Sequence, residues 1–156
     1  MASAAYSLDT RDVHCPERPA TTSVSSEPDS PVWFEPTVAA AMFVRRLPEN
    51  WDHRGARRVS VEVIRRAVSL LATTATYYTP APDLVPTVNG GLQLEWHRSR
   101  MDIELEIRPD LSAELYWRDR LSELEGEEPV WHARPVRLEA VLRTLTDRHV
   151  APAATR

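Results

Sequence analysis

The chain has 156 residues, of which 23 are acidic and 19 are basic, and its formal net charge is −4. All of the basic residues are arginine, so no lysine is available as a Schiff-base amine or in a phosphate-binding loop. The single cysteine, Cys15, excludes an intrachain disulfide, and no apolar run approaches the roughly 18 residues of a membrane span. No basic segment followed by an apolar run opens the chain, so we expect no secretory signal, no membrane association and a cytoplasmic protein.

Residues 1–35 have the composition of a disordered tail. They include four prolines, many Ser and Thr residues and few large apolar side chains, and so cannot bury enough apolar surface to offset the entropy of ordering. The residues that follow are ample for one hydrophobic core. We therefore predict a disordered tail at residues 1–35, a single α+β domain at residues 36–150 and a frayed C-terminus at residues 151–156.

Two helices are predicted at the start of the domain. The first runs from about Thr37 to Arg46, where Leu47-Pro48 ends it, and the second begins near Ser60, a favourable N-cap residue. Apolar residues recur at helical spacing in both segments and are expected to face the core. They are Val38, Met42 and Phe43 in the first helix and Ile64, Val68, Leu71 and Ala75 in the second.

An antiparallel sheet is predicted for the middle of the domain. Pro80, Pro82 and Pro86 are incompatible with a helix or a central strand, and they indicate an extended, polyproline-like segment that ends in a turn at Asn89-Gly90-Gly91. The next three segments alternate apolar and polar residues, which is the pattern of strands with one buried face. Their apolar residues are Leu92, Leu94 and Trp96, then Met101, Ile103, Leu105 and Ile107, then Ala113, Leu115 and Trp117.

The C-terminal part completes the predicted fold. Residues 122–128 have the composition of an acidic, mobile connection, a short fourth strand is expected at residues 129–132, and a last helix is expected from about Pro135 to His149. The predicted fold class is α+β, with an antiparallel meander of three to four strands packed on one face by about three helices.

Two motifs resemble those of a family of proteins. Leu47-Pro48-Glu49-Asn50-Trp51-Asp52, followed by Gly55-Ala56, resembles an LPxNWDxxGA signature. Pro82, Pro86 and the run from Gly90 to Trp96 resemble a PxxxPxxxGGxxLEW signature. Together they are similar to an uncharacterised family of small bacterial proteins, over roughly residues 38–120. The resemblance implies no particular chemistry, and His53-Arg54 stand where the family is expected to have a small polar residue and an aromatic one.

Charge is distributed unevenly along the chain. Residues 36–75 contain seven arginines and three acidic residues, whereas residues 91–130 contain eleven acidic residues and five arginines. The predicted helices are therefore basic and the predicted sheet is acidic. This polarity is typical of a protein that binds a protein partner or associates with itself, and the acidic sheet disfavours nucleic acid.

The loop between the first two helices is a candidate partner-binding site. Trp51, Asp52, His53 and Arg54 combine an aromatic side chain with an acid and two basic groups, which can grip a protein partner. The structural alternative is that Trp51 closes one end of the core while Asp52 caps a local turn. The sequence is compatible with both interpretations.

The polar face of the predicted sheet is a second candidate site. Glu95, His97, Glu104 and Glu106 lie on neighbouring strands, where cross-strand side chains are about 5 Å apart. Carboxylates at that distance shift one another's pKa or bind a hard cation, which would suit a small metal-dependent hydrolase. The alternative is a solvated face balanced by nearby arginines, since an open sheet face offers no concave site.

Other familiar site patterns do not occur. Gly90-Gly91 leads into a strand and lacks the spacing of a phosphate-binding loop, so it indicates a tight turn. His14-Cys15 has no second cysteine with which to bind zinc. We therefore predict no catalytic residues, no metal site and no cofactor.

Three hypotheses on function follow. The leading one is a small cytoplasmic, non-catalytic protein that acts through protein–protein contact, as part of a bacterial mobile-element, defence or toxin–antitoxin-like system. The first alternative is a metal-dependent hydrolase on the polar sheet face. The second is a weak nucleic-acid binder that uses the arginines in and before the second helix, which are Arg54, Arg57, Arg58, Arg65 and Arg66.

Overall fold

Three helices and five strands make up residues 29–131 and 135–151, the part of the chain that the structure, a computed structural model, describes. α1 spans Phe34–Arg46, α2 Val61–Thr74, β1 Asp83–Pro86, β2 Leu92–Arg98, β3 Met101–Ile107, β4 Ala113–Asp119, β5 Leu124–Pro129 and α3 Val136–Val150. The strands form one antiparallel sheet in the order β1-β2-β3-β4-β5. The predicted α+β class and the meander are confirmed, with five strands instead of three to four. The predictions for residues 1–28 and 152–156 lie outside the described residues.

One face of the sheet forms half of the hydrophobic core. Leu94 on β2 lies opposite Leu105 on β3, which lies opposite Leu115 on β4, and all three side chains are fully buried. Alternate residues of a strand share a face, so the other apolar residues of these strands point the same way. Trp96 is also fully buried, and its indole N–H donates to the carbonyl oxygen of Pro80 at 2.8 Å. The buried indole nitrogen is thereby satisfied.

The helices supply the other half of the core. α2 packs on β2 and β3, and α3 packs beside α2. All three helices contribute buried residues to one cluster with the apolar sheet face, among them Val44 from α1, Leu70 from α2 and Leu142 from α3. The polar face of the sheet therefore carries no helix in the described part of the chain.

The proline-rich segment differs from its prediction. Asp83–Pro86 is β1, an edge strand that pairs with β2 and places Leu84 opposite Leu94, and not a polyproline-like surface segment. Proline cannot donate a ladder hydrogen bond, and an edge strand tolerates that loss. The prolines therefore exclude a central strand, as predicted, but they do not exclude an edge strand.

The acidic segment that was predicted as a mobile connection is also a strand. β5 spans Leu124–Pro129 and pairs with β4, so the predicted strand at residues 129–132 is displaced toward the N-terminus. Apolar and polar residues do not alternate in this segment, so the sequence pattern did not indicate a strand. Gly126 lies against Trp117, because a Cβ at this position would come within 2.9 Å of the indole nitrogen.

α1 begins earlier than predicted and faces the core with other residues. It starts at Phe34 instead of Thr37, and Trp33, which was assigned to the tail, is buried in the core. The prediction of core positions is wrong for Met42 and Phe43, which are 52% and 67% exposed. The buried residues of α1 are Thr37, Ala41 and Val44.

The predicted core face of α2 is largely confirmed. Ser60 caps the helix as predicted, since its Oγ accepts a hydrogen bond from the N–H of Val63 at 3.2 Å. Of the predicted core residues, Leu71 is fully buried, and Ile64 and Ala75 are partly buried and pack against the core. Val68 is only half-buried. The buried residues of α2 are Val63, Ala67, Leu70, Leu71 and Thr74.

Candidate functional site

The loop between α1 and α2 is held together by its own polar side chains. Asp52 Oδ1 accepts hydrogen bonds from the backbone N–H groups of Arg54 at 2.8 Å and of Ala56 at 2.9 Å. Asn50 Oδ1 accepts one from the N–H of Gly55 at 2.6 Å. The hydrogen bonds from Ala56 and then from Arg54 hold the pKa of Asp52 below its usual range. The carboxylate proposed to bind a partner is thus already engaged within the loop.

The other three predicted partner-binding residues differ in exposure. Trp51 is half-buried, and its indole N–H donates to the carbonyl oxygen of Arg57 at 3.3 Å. His53 and Arg54 have exposed side chains. The structural alternative therefore accounts for Asp52, which caps the local turn, whereas Trp51 does not belong to the hydrophobic core cluster. A partner contact at the four residues stays a prediction.

The two sequence motifs lie against each other. The backbone N–H of Arg57, directly after the first motif, donates to the carbonyl oxygen of Val88 at 2.9 Å. Gly90, in the second motif, has a φ of +88°, and a Cβ there would come within 3.1 Å of the carbonyl oxygen of Arg58. At Gly91 a Cβ would lie 2.7 Å from the carbonyl oxygen of Ile107. The paired glycines therefore permit a close approach of chain segments, which supports their interpretation as a tight turn.

The polar sheet face brings the predicted acidic residues together in an open array. Glu95 lies opposite Glu104, and Glu106 lies opposite Glu114. Arg108 pairs with Glu114, and one of its guanidinium nitrogens lies 3.8 Å from Glu106. Arginine thus partly balances these carboxylates, as expected for a solvated face.

His97 belongs to a separate network at the β2–β3 turn. Its Nδ1 lies 2.9 Å from Asp102 Oδ1, and its Nε2 lies 3.3 Å from Glu95 Oε2. Arg120 donates two hydrogen bonds, of 2.6 and 2.5 Å, to the Asp102 carboxylate. The hydrogen bond to Asp102 raises the pKa of His97, and the hydrogen bonds from Arg120 lower the pKa of Asp102. Glu95, His97, Glu104 and Glu106 therefore do not converge on one point.

The polar sheet face is neither a ligand cluster nor a pocket. Within residues 29–131 and 135–151, no group of three or more His, Cys, Asp and Glu side chains is arranged to hold a metal ion. The face has a depression of about 120 Å³, whereas ligand sites usually enclose about 300–1,000 Å³. Its lining residues are Gln93, Glu104, Glu106, Glu114, Tyr116 and Glu127. This geometry gives no support to a metal-dependent hydrolase.

A groove between α1 and α2, which was not predicted from the sequence, collects apolar side chains at the surface. The groove has a volume of about 240 Å³. It is lined by Val38, Ala41, Met42 and Arg45 from α1 and by Val61, Ile64, Arg65 and Val68 from α2. We call it the α1–α2 groove. The helical periodicity of these residues was visible in the sequence, but it was assigned to the core.

Arg45 and Arg65 form a basic rim of the α1–α2 groove, and the chain segment around them is rich in arginine. None of the seven arginines from Arg45 to Arg66 has an acidic ion-pair partner among the residues that the structure describes. By contrast, six arginines of the sheet and α3 each have one, namely Arg108, Arg118, Arg120, Arg137, Arg143 and Arg148. The positive charge of the helical layer is therefore not balanced locally.

Two depressions continue the α1–α2 groove toward the start of α2. One, of about 260 Å³, is lined by Met42, Arg45, Arg46 and Arg58. The other, of about 430 Å³, is lined by Arg45, Glu49, Arg58, Val59, Ser60 and Val61. All three hollows share Arg45, so the apolar groove and its basic extension form one continuous surface.

Comparison with protein-family models, with curated proteins and with solved structures finds no significant match. The two-motif resemblance therefore stays a prediction. Of the helices in the described residues, none combines the length and the apolar character that crossing a bilayer requires.

Proposed function

We propose that this chain is a small cytoplasmic, non-catalytic binding protein whose helical layer contacts a protein partner. The observation that carries the proposal is the α1–α2 groove, where exposed apolar side chains lie beside arginines that have no acidic partner in the described residues. An exposed apolar patch with a polar rim is characteristic of interaction sites.

The apolar side chains favour a protein partner energetically. Met42 and Phe43 are adjacent in α1 and both are exposed. Covering a large apolar side chain contributes roughly 1.5–3 kcal/mol. Because aromatic, methionine and arginine side chains are enriched at protein interfaces, this combination suits a protein surface.

The charge distribution supports the same proposal. Unpaired arginines attract an acidic partner over a distance and orient it before contact. The acidic sheet face, on the other side of the core, repels the same partner and so favours one binding face. On the basis of small size and charge polarity, we place this binding protein in a bacterial mobile-element, defence or toxin–antitoxin-like system.

Site-specific photocrosslinking in the native host tests the proposal. A photoreactive benzoylphenylalanine replaces Met42, an exposed residue that lines the groove, or, as the matched control, Val85, which is exposed on the polar face of β1. We expect one predominant crosslinked protein from position 42 and none from position 85, with identification by mass spectrometry. An absence of crosslinked protein at position 42, or equal products at both positions, would contradict the proposal.

Nucleic acid is the competing class of partner, because arginines without acidic partners also bind phosphates. The apolar floor of the groove and the net charge of −4 favour protein. Crosslinking of position 42 to nucleic acid in place of protein would show that the partner is a nucleic acid.

A further inference from the structure

We propose that the α1–α2 groove binds an acidic amphipathic α-helix, with the apolar face of that helix on the groove floor and its carboxylates against the arginines. This inference rests on the proposed function and specifies the chemistry of the partner segment. It follows from the spacing of the lining residues, from their exposure and from the position of the charges.

The lining residues have the spacing of a helix-binding site. They follow i, i+3, i+4, i+7 in each helix, as Val38, Ala41, Met42 and Arg45 in α1 and as Val61, Ile64, Arg65 and Val68 in α2. Each row lies along one face of its helix, and both rows border the same groove. Each row covers roughly 10 Å at about 1.5 Å per residue, which matches about two turns of a bound helix. Amphipathic helices bind such grooves through their own i, i+3, i+4 and i+7 residues.

The residues that line the groove have the periodicity of a buried helix face, although no element of the described residues covers them. Val38, Met42, Ile64 and Val68 satisfy the periodicity of a buried helix face, which is why they were predicted to be core residues. In the structure Met42 is exposed, Val38 and Val68 are half-buried, and Ile64 is partly buried between the core and the groove. Helices with two apolar faces normally lie between other elements. The outward face of this helix pair is therefore suited to one more helix.

The arginines determine the charge of that helix. Arg45 and Arg65 line the groove itself, and Arg58 borders both depressions that continue it. The N-terminus of α2 adds its partial positive charge at the same end, where Val61 lines both hollows. Glu49 lies at that end too, but its carboxylate accepts a hydrogen bond from the backbone N–H of Arg58 at 3.1 Å. The bound helix is therefore expected to carry Asp and Glu, concentrated at this end.

Two other occupants fit the groove less well. A nucleic-acid strand would pair with the arginines but would leave Met42 and the apolar floor uncovered. A second copy would bring its acidic sheet face, on which β2 and β3 present only polar residues that cannot fill an apolar groove. An acidic amphipathic helix can cover the apolar floor with its apolar face and pair its carboxylates with the arginines of the rim.

Fluorescence anisotropy with the full-length chain tests the inference. The probe is a fluorescein-labelled peptide of about 14 residues, which is longer than the two turns that the groove accommodates, with leucines at i, i+3, i+4 and i+7, glutamates beside that stripe and alanines elsewhere. One control peptide has the same composition in scrambled order, and another has lysine in place of every glutamate. We expect the probe to bind at least about 10-fold more tightly than either control, because each control loses the stripe or the charge.

Variants of the protein locate the binding. Met42→Asp and Arg65→Glu are each expected to weaken it by about 10-fold or more, because one charges the apolar floor and the other reverses a rim charge. Arg66→Glu is the matched control, since it makes the same charge reversal at a neighbouring residue that does not line the groove. Its expected effect is within about 2-fold, because solvent and salt screen distant charges. Circular dichroism verifies folding, and Met42→Gln replaces Met42→Asp if the latter unfolds.

A charge-swap experiment adds a gain of function. Arg65→Glu is expected to bind the lysine peptide more tightly than the wild-type chain does, since the reversed rim charge then attracts it. Equal affinity of both proteins for the lysine peptide would mean that Arg65 does not face the bound helix, and would overturn the inference.

Other results would also overturn the inference that the groove binds an acidic amphipathic helix. Equal binding of the three peptides, or equal losses with Arg65→Glu and Arg66→Glu, would reduce the effect to non-specific charge attraction. Tighter binding of a single-stranded oligonucleotide, unaffected by Met42→Asp, would assign the arginines to nucleic acid. Self-association in analytical ultracentrifugation that Met42→Asp abolishes would assign the groove to a second copy.

The peptide and crosslinking experiments separate the two proposals. If position 42 crosslinks a protein in cells but the acidic peptide does not bind, the groove has a partner and the proposed helix chemistry is wrong. If the peptide binds with the expected dependence on Met42 and Arg65 but no protein crosslinks, the groove chemistry is supported and the proposed function fails.

Discussion

At the scale of single residues, Asp119 ties the end of β4 to the last part of α3. Its carboxylate accepts two hydrogen bonds from the Arg148 guanidinium, at 2.8 and 2.7 Å, and one each from the backbone N–H of Leu121 and the hydroxyl of Ser122. Bidentate charge-assisted pairs of this kind are strong. These hydrogen bonds, above all those from Arg148, hold the pKa of Asp119 well below its usual range.

Asp119→Asn is expected to lower the free energy of unfolding at neutral pH by about 2 kcal/mol, because a mostly buried charge pair is broken. A lowered folded-state pKa means that the stabilisation is complete above the unfolded carboxyl pKa of about 3.9 and is lost as the pH falls below that value. Urea unfolding of both proteins at neutral pH and near pH 3 measures this. Asp110→Asn, in the exposed turn before β4, is the control and should cost less. A cost of Asp119→Asn that is unchanged in acid would contradict the expectation.

At the scale of elements, α1 carries two apolar rows on different sides of one helix, one in the core and one at the groove. Val44 belongs to the core cluster and is 1% exposed, whereas Met42 lines the α1–α2 groove. The β2–β3 hairpin shows a comparable division. Its apolar face is buried, and its polar face carries His97, Asp102 and Glu95 in an exposed network.

Val44→Ala is expected to lower the free energy of unfolding by about 2 kcal/mol through lost burial and a cavity, whereas Met42→Ala should change it by less than about 0.5 kcal/mol. Chemical denaturation of the two variants, both in α1, gives the comparison. Equal costs would mean that Met42 is packed in the folded protein and that the groove is not open.

His97 should make the stability of the hairpin depend on pH. Its folded-state pKa is raised by Asp102 and Glu95, so the stabilisation is present below the unfolded histidine pKa of about 6.5 and is lost as the pH rises through the folded value. Because the side chain is well exposed, the expected contribution is below about 1 kcal/mol. His97→Gln should therefore cost more stability near pH 5.5 than near pH 8.5.

An NMR titration of the His97 ring measures the pKa directly, and Asp102→Asn should lower it because the main hydrogen-bond partner loses its charge. A wild-type value at or below the ordinary histidine pKa would refute this account of the network.

At the scale of the whole molecule, the helical layer and the polar sheet face carry opposite charge. The arginines of residues 36–75 lack acidic partners in the described residues, while the sheet face presents rows of carboxylates such as Glu95 and Glu104. Since the hydrophobic core separates the two layers, an acidic partner is attracted to one face and repelled by the other.

Salt is expected to weaken binding of the acidic helical peptide by about 10-fold between roughly 50 and 500 mM, because the rim charges are screened. The loss caused by Met42→Asp should persist at high salt, since the floor acts through apolar burial. Anisotropy titrations of the wild type and the variant at both salt concentrations test this. Affinity that is independent of salt would show that the arginine rim makes no contact.

Predictability from sequence differs among the strands for a physical reason. β2, β3 and β4 are half-buried, so their alternation of apolar and polar residues reports the pleat directly. β1 and β5 are edge strands with little buried surface, and backbone pairing with β2 and β4 holds them in place. The prolines in and before β1 and the glutamates of β5 therefore led to the prediction of irregular segments instead of strands.

The candidate sites also differ in how far they can be predicted from the sequence. The hydrogen-bonding side chains of the α1–α2 loop act within a few residues of each other, so a turn-capping role for Asp52 was predictable. The α1–α2 groove was not, because periodicity identifies apolar faces of a helix but not which of them another element covers.

The sequence by itself determined the α+β class, the meander, the three helices and the separation of basic and acidic segments, because these depend on periodicity and composition along the chain. The tertiary structure decided that β1 and β5 extend the sheet, that the two motifs meet at Gly90, and that Met42 stays outside the core. These features depend on which segments meet in space, where main-chain pairing and the area available for packing select one arrangement among several that the local pattern allows.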